Sequence, residues 1–168
     1  MVENLRTTKY NDGTPIPLLT NQTTWPFIKT AAYCWYNNDP ASYKNDYGAL
    51  YNWYSVNTGK LAPICWHVPS VSDVNSLIAF TINKGLKEAG TAHWKSPNIG
   101  IGNKYGFSAL PGGWGNGGFV HLTEAGVWWT TSTMGPYSQS FALSSSGDNV
   151  DIMAEEANFG FSVRCIKN

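Results

Sequence analysis

The chain has 168 residues, with 11 basic and 11 acidic side chains and no formal net charge. That length suits a single domain, residues 1–168, with a real core, and the balance excludes the basic excess that a nucleic-acid groove or an anionic membrane surface requires. Charged residues make up 13% of the chain, about half the usual share, and aromatics 14%, so surface polarity falls to Asn, Ser, Thr, Gly and Tyr, the palette of extracellular β-rich domains that bind protein or carbohydrate.

The opening stretch "MVENLRTTKY" reads as a short strand, and Asn11-Asp12-Gly13 as a turn. It lacks the apolar core of a signal peptide, and no run of apolar residues is long enough to span a membrane. After the aromatic "AAYCWY", Asn37-Asn38-Asp39-Pro40 reads as a loop. Ala49, Leu50, Trp53 and Val56 recur at helical spacing, which predicts a helix from an Asp46 N-cap to a stop at Gly59. A second helix follows Ser70. Ser70 and Asp73 form a capping-box pair, Val74, Leu77, Ile78, Thr81 and Ile82 line one face, and Gly85 ends it.

The stretch from 90 to 119 is too rich in Gly and Pro for regular helix. It is expected as a long loop held by Trp94, Tyr105, Phe107, Leu110 and Trp114. Short strands follow in "GVWWTTST", "SQSFALS" and "NVDIM". In the closing "NFGFSVRCIKN", Phe159, Phe161, Val163 and Cys165 alternate with Asn158, Gly160, Ser162 and Arg164, the period of a half-buried strand. The expected class is α+β: two helices packed on one side of a twisted antiparallel sheet, long Gly/Pro-rich loops, and the N- and C-terminal strands close together.

Cys34, Cys65 and Cys165 leave at least one thiol unpaired and contain no Cys-x-x-Cys zinc pair. Cys34 and Cys165 read as buried small hydrophobes. His67, His93 and His121 are scattered and form no helical pair that would suit zinc, and His67 and His93, each beside a Trp, read as structural groups. No Ser-His-Asp or Gly-x-Ser-x-Gly pattern occurs, so no enzyme is expected. Asp148, Asp151, Glu155 and Glu156 could supply some of the 6–8 oxygens a calcium ion takes, or form a solvated loop. Calcium is therefore not assigned, and no other cofactor is implied.

"ENLRTTKYNDGTPIP", "YCWYNND", "YGALYNWYSVNTGKL", "WHVPS", "LKEAGTAHW", "GFSALPGGW", "WWTTST" and "GFSVRCIK" occur in the order found in the Fibrobacter succinogenes major paralogous domain family. The resemblance covers almost the whole chain. It implies a C-type lectin-like fold similar to formylglycine-generating enzymes, and a place on the surface of Bacteroidetes-like bacteria, often as lipoproteins, or on phage. Similar domains are variable proteins of diversity-generating retroelements. The paired copper-binding cysteines of the enzymes are not matched, and neither are the calcium motifs of classical lectins. Where the family has Cys-Pro-x-Gly-Trp-His-Val-Pro, this chain has Ala62 for the cysteine and Cys65 for the glycine. The family's bridge to the C-terminal cysteine is thereby lost from position 62; whether Cys65 reaches Cys165 depends on the ~7 Å Cα limit.

The resemblance also supplies a thin frame between "WWTTST" and "GFSVRC", matched here by Leu143, Val150 and Gly160, and implies that the other residues of that stretch are free to vary. The positions expected to bind ligand are Met134, Tyr137, Gln139, Ser140, Ala142, Ser144, Ser145, Asp148, Asp151, Met153, Ala154, Glu155, Asn158 and Phe159, with Tyr137, Met153 and Phe159 as apolar anchors. The expected function is recognition of a protein or glycan on a cell surface, with no insertion into the membrane. The alternatives are a structural module of a surface lipoprotein, or a degenerate oxidase of the formylglycine-generating type.

Overall fold

The computed structural model describes residues 3–100 and 102–168, and its first helix starts where the sequence reads as a loop. Asp39 caps helix α1 (Pro40–Tyr47), its carboxylate accepting from Ala41 N at 3.0 Å and Ser42 N at 3.2 Å, with Pro40 in the first turn. The helix stops at Gly48, whose φ is +73°; a Cβ there would stand 2.7 Å from the Leu5 carbonyl oxygen. The chain then forms strand β2 (Leu50–Tyr51), antiparallel to β1 (Tyr33–Cys34), and a single helical turn, α2 (Trp53–Val56). The helix expected over 46–59 is thus the end of α1, a strand and a turn. Ala49, Leu50 and Val56 are buried as their spacing required, but by three short elements rather than one helix.

After the short strand β3 (Trp66–His67), helix α3 (Val71–Thr81) begins as expected. Ser70 Oγ accepts from Asp73 N at 3.2 Å, and the Asp73 carboxylate accepts from Ser70 N at 2.8 Å. Val74, Leu77 and Ile78 pack into one core cluster with Trp128 and Phe141. The helix ends at Thr81, earlier than Gly85. Ile82 adopts a left-handed φ of +54° and is 79% exposed, so it leaves the expected apolar face.

The main sheet contains β4 (Gly112–Gly115), β5 (Phe119–Leu122), β6 (Ala125–Met134), β7 (Tyr137–Ser144) and β8 (Asp151–Glu155), in the order β5-β4-β6-β7-β8. It is mixed rather than antiparallel throughout, because β4 and β6 run parallel at Gly113–Gly126. The helices do not share one side of it. Successive side chains of β6 point to opposite faces: Trp128 meets α3, whereas Val127 and Trp129 share a cluster with Val56 of α2. Between Trp129 and Thr133 the ladder shifts register, and there Thr131 N donates to Pro69 O at 2.9 Å and Val71 N to Ser132 Oγ at 3.0 Å. The bulge ties β6 to the start of α3.

The tail from Gly160 threads the middle of the fold. Gly160, Phe161 and Ser162 bridge to Gly115, Tyr51 and Trp128, and β9 (Ile166–Lys167) pairs with β3. Phe161, Val163 and Cys165 are buried as the alternation predicts, but so are Ser162 and Arg164 on the other face. The strand is enclosed, not half-buried. The expected N-terminal strand falls partly on residues 1 and 2, outside the described residues; from Glu3 onward the opening stretch makes one bridge, Lys9 to Pro15. Leu5 N nevertheless donates to Val163 O at 2.8 Å, so the terminal segments do lie together.

Two buried cations hold the glycine-rich region. Lys87 is fully buried, and its ammonium donates to the carbonyls of Ser144 at 2.9 Å, Gly147 at 2.7 Å and Ile99. Burial pushes its pKa below the ordinary lysine value, and the Asp148 carboxylate opposes the shift. Arg164, 3% exposed, donates from Nε to Asn4 Oδ1 at 2.8 Å, from Nη2 to Ser108 O at 2.7 Å and from Nη1 to Phe107 O. Of the expected anchors only Trp94 is buried, its indole donating to Ala109 O at 2.8 Å; Tyr105, Phe107, Leu110 and Trp114 are half-buried. The stretch ends as β4 and β5, not as loop.

Candidate ligand-binding face

The site begins at the β6–β7 hairpin. Met134 pairs with Tyr137 across Gly135-Pro136, and Gly135 has φ +60°, as the first central residue of a type II′ turn requires. Met134 is 56% exposed and Tyr137 47%.

Beside the hairpin lies an open groove of about 450 Å³, lined among others by Pro26, Phe27, Ile28, Tyr54, Tyr137 and Asn158, with Lys29 and Glu156 bringing one charge of each sign. Phe27 is 81% exposed, the most exposed large apolar side chain among the described residues. Sequence reasoning missed it, since nothing in "TTWPFIK" separates a displayed Phe from a core one.

The groove rests on a fixed floor. Trp25 is fully buried and its indole donates to Asn158 O at 2.6 Å, while Asn158 Nδ2 donates to Pro26 O. Trp53 Nε1 donates to Thr130 O at 2.9 Å, and Trp129 Nε1 to Tyr51 O at 2.7 Å. Buried Asn52 ties the segment preceding β1 to α2: its Nδ2 donates to Thr30 O at 2.8 Å, and its Oδ1 accepts from Ala32 N at 3.0 Å. The frame residues Leu143, Val150 and Gly160 are buried.

The residues expected to bind ligand are not brought to one surface. Register pairs Ser140 with Met153 and Ala142 with Asp151, whereas Gln139 pairs with Ala154. The pleat therefore sends Gln139 and Ala154 to the α3 side of the sheet and the others to the opposite side. Ser140 and Ser145 are buried and offer no surface. Ala142 and Phe159 are half-buried and pack against the core, the Phe159 ring 5.5 Å from that of Phe161. Met153 is half-buried. Ser144, Ser145 and Asp148 lie at the far end of β7, around Lys87 and Gly100. What remains near the groove is Met134, Tyr137, Glu155 and Asn158. Burial, with Glu156 adding to it, pushes the Glu155 carboxyl above its ordinary pKa.

The other candidate groups are dispersed. Cys34 and Cys165 lie in different core clusters, with thiols pushed up by burial to about 12 and about 11. Cys65 is a free thiol on the surface, so the bridge from Cys65 to Cys165 is not formed. Its φ of +66° accounts for the glycine that stands there in the resembling pattern. His67 contacts Asn168 Oδ1 at 2.6 Å, His93 contacts Glu88 at 2.8 Å, and His121 stacks on Trp114 with centroids 4.4 Å apart. Among the described residues no three His, Cys, Asp or Glu side chains stand together where they could hold a metal ion, and no helix is long and apolar enough to cross a membrane. The family model of the Fibrobacter succinogenes major domain matches residues 1–167. No curated protein and no solved structure matches the chain.

Proposed function

The chain belongs to the Fibrobacter succinogenes major domain family, and from that footing we propose that it is a non-enzymatic recognition domain of C-type lectin-like fold. It acts outside the cytoplasm, on a cell surface or phage particle, needs no cofactor, and binds a protein or glycan. The observation that carries this reading is the exposed set Phe27, Met134 and Tyr137 beside a groove whose backbone is fixed from beneath. Displayed aromatic and Met side chains on a rigid support are the usual anchors of an interface.

A protein partner is favoured over a glycan. The tryptophans, the best platforms for sugar stacking, are all buried or half-buried, which leaves Phe, Tyr and Met to make contact. Exposed positions such as Met134 and Tyr137 vary at little cost to stability, since surface substitutions usually stay within about 0.5 kcal/mol. That tolerance is what diversification by a retroelement would exploit.

The test compares the parent with Phe27→Ala/Tyr137→Ala on a glycan array and in cross-linking pull-downs from host cells. The expected result is a specific partner retained by the parent and lost by the variant, with unchanged thermal unfolding. Equal capture by both places recognition elsewhere, and silence in every format assigns a structural role. A near-repeat of the C-terminal coding stretch beside a reverse transcriptase gene, differing at adenines, would establish diversification.

A further inference from the structure

A second cavity, of about 410 Å³, lies between α3 and the C-terminal tail, away from the groove. Its wall is mostly apolar: Val74 and Leu77 from α3, Phe107 from the glycine-rich region, Phe141 from β7 and Ile166 from β9. The size falls at the lower end of small-ligand pockets, roughly 300–1,000 Å³. Its charged lining residues are Arg164, Lys167 and Asp73.

Arg164 is the unusual member. A guanidinium carries five N–H donors, and this one makes three hydrogen bonds, each to a neutral acceptor: Asn4, Phe107 and Ser108. Its carbon centre lies 4.6 Å from the Phe107 ring centroid and 5.8 Å from that of Trp128. Among the described residues no carboxylate forms a salt bridge with it. Burial alone pushes its pKa down to about 9, with only Glu3 opposing. An almost fully buried cation without a counter-charge is costly.

Asp73 does not supply that counter-charge. Its carboxylate accepts from Ser70 N at 2.8 Å and Ser70 Oγ at 2.7 Å, and lies 3.7 Å from His67. The cavity thus sets two cations, Arg164 and Lys167, against one carboxylate already engaged at the helix cap. An apolar cavity that counts an unmatched arginine among its lining residues complements a molecule with a short apolar body and a single anionic head.

We propose that this cavity binds a small amphiphilic carboxylate, a medium-chain or arylalkanoic acid, with its tail against Leu77, Phe107 and Phe141 and its head on Arg164. The carboxylate takes the two donors that Arg164 leaves unused, in the forked geometry such pairs favour.

The test is a 1H–15N titration of the intact chain with sodium octanoate and, separately, 1-octanol. Octanoate should shift the backbone amides of Leu77, Phe107 and Arg164 to Lys167 together with the Arg164 Nε–H signal, and bind at least tenfold more tightly than the alcohol. Leu77→Trp, which fills the cavity, should abolish the shifts; if that variant does not fold, Ile166→Trp closes the same space from the edge strand. The proposal is overturned by no shift at those positions at 10-millimolar-order octanoate, by equal affinity for octanol, or by shifts that persist in the filled variant.

Discussion

Replacing Lys87 with Met keeps the length of the side chain and deletes its ammonium. Three carbonyls, those of Ile99, Ser144 and Gly147, then lose the ammonium as a donor, and that of Ser144 keeps a second one, Gly147 N at 3.5 Å. Hydrogen bonds to a charged group contribute roughly 1.5–3 kcal/mol each, so the gross loss is about 4.5–9 kcal/mol. Against this, the folded state no longer holds an ammonium away from water, a penalty of several kcal/mol, and the Met side chain still packs against Trp94, over which the ammonium lies at 5.1 Å. The net expectation is a loss of about 3 kcal/mol. Urea unfolding measures it: with a slope near 2 kcal/mol/M the midpoint falls by about 1.5 M. Hydrogen exchange gives a local check. The Ile99 amide, which donates to Ser145 O at 2.9 Å, should exchange faster relative to amides of α3. Stability within 0.5 kcal/mol of the parent, or unchanged exchange at Ile99, would refute the assignment of Lys87 as the brace between these loops.

Cys65→Gly relieves a left-handed φ of +66° and should stabilise by roughly 0.5–1 kcal/mol in thermal unfolding; in the parent, iodoacetamide should modify Cys65 and spare buried Cys34 and Cys165. Gly48→Ala should cost about 2 kcal/mol or more, because φ is +73° and the new Cβ meets the Leu5 carbonyl oxygen at 2.7 Å. Ser70→Ala should cost about 1 kcal/mol at neutral pH. Ser70 and, to a smaller extent, His67 hold the Asp73 carboxyl below its ordinary pKa. Its contribution is therefore present above the unfolded value near 4 and lost as pH falls through the lower folded one, and the Ser70→Ala penalty should shrink in acid.

Local signals were legible and non-local ones were not. Ser70 and Asp73 announce the start of α3 because both capping partners lie within one turn. Helix α1 escaped notice: "PASYKNDY" buries only Tyr47 and shows no apolar stripe, and Asp39-Pro40, a helix start, reads equally well as a turn. The contact that breaks the expected helix at Gly48 comes from Asn4 and Leu5, more than forty positions earlier. Alternation placed Phe161 and Val163 correctly but put Arg164 outside, because period 2 cannot report that a strand is covered on both faces. For the candidate site, the frame implied by the resemblance drew attention to the stretch after "WWTTST" that holds the hairpin. It could not tell Ser140, facing inward, from Tyr137, facing out, nor supply Phe27 from the other end of the chain.

The indoles beneath the groove grip main-chain oxygens: Trp25 takes that of Asn158 and Trp53 that of Thr130. Every amino acid carries such an oxygen, so no exchange of side chain at those two positions can delete the acceptor. The anchorage is blind to the identity of what it anchors. Successive rewriting of the displayed residues would therefore leave the platform in register.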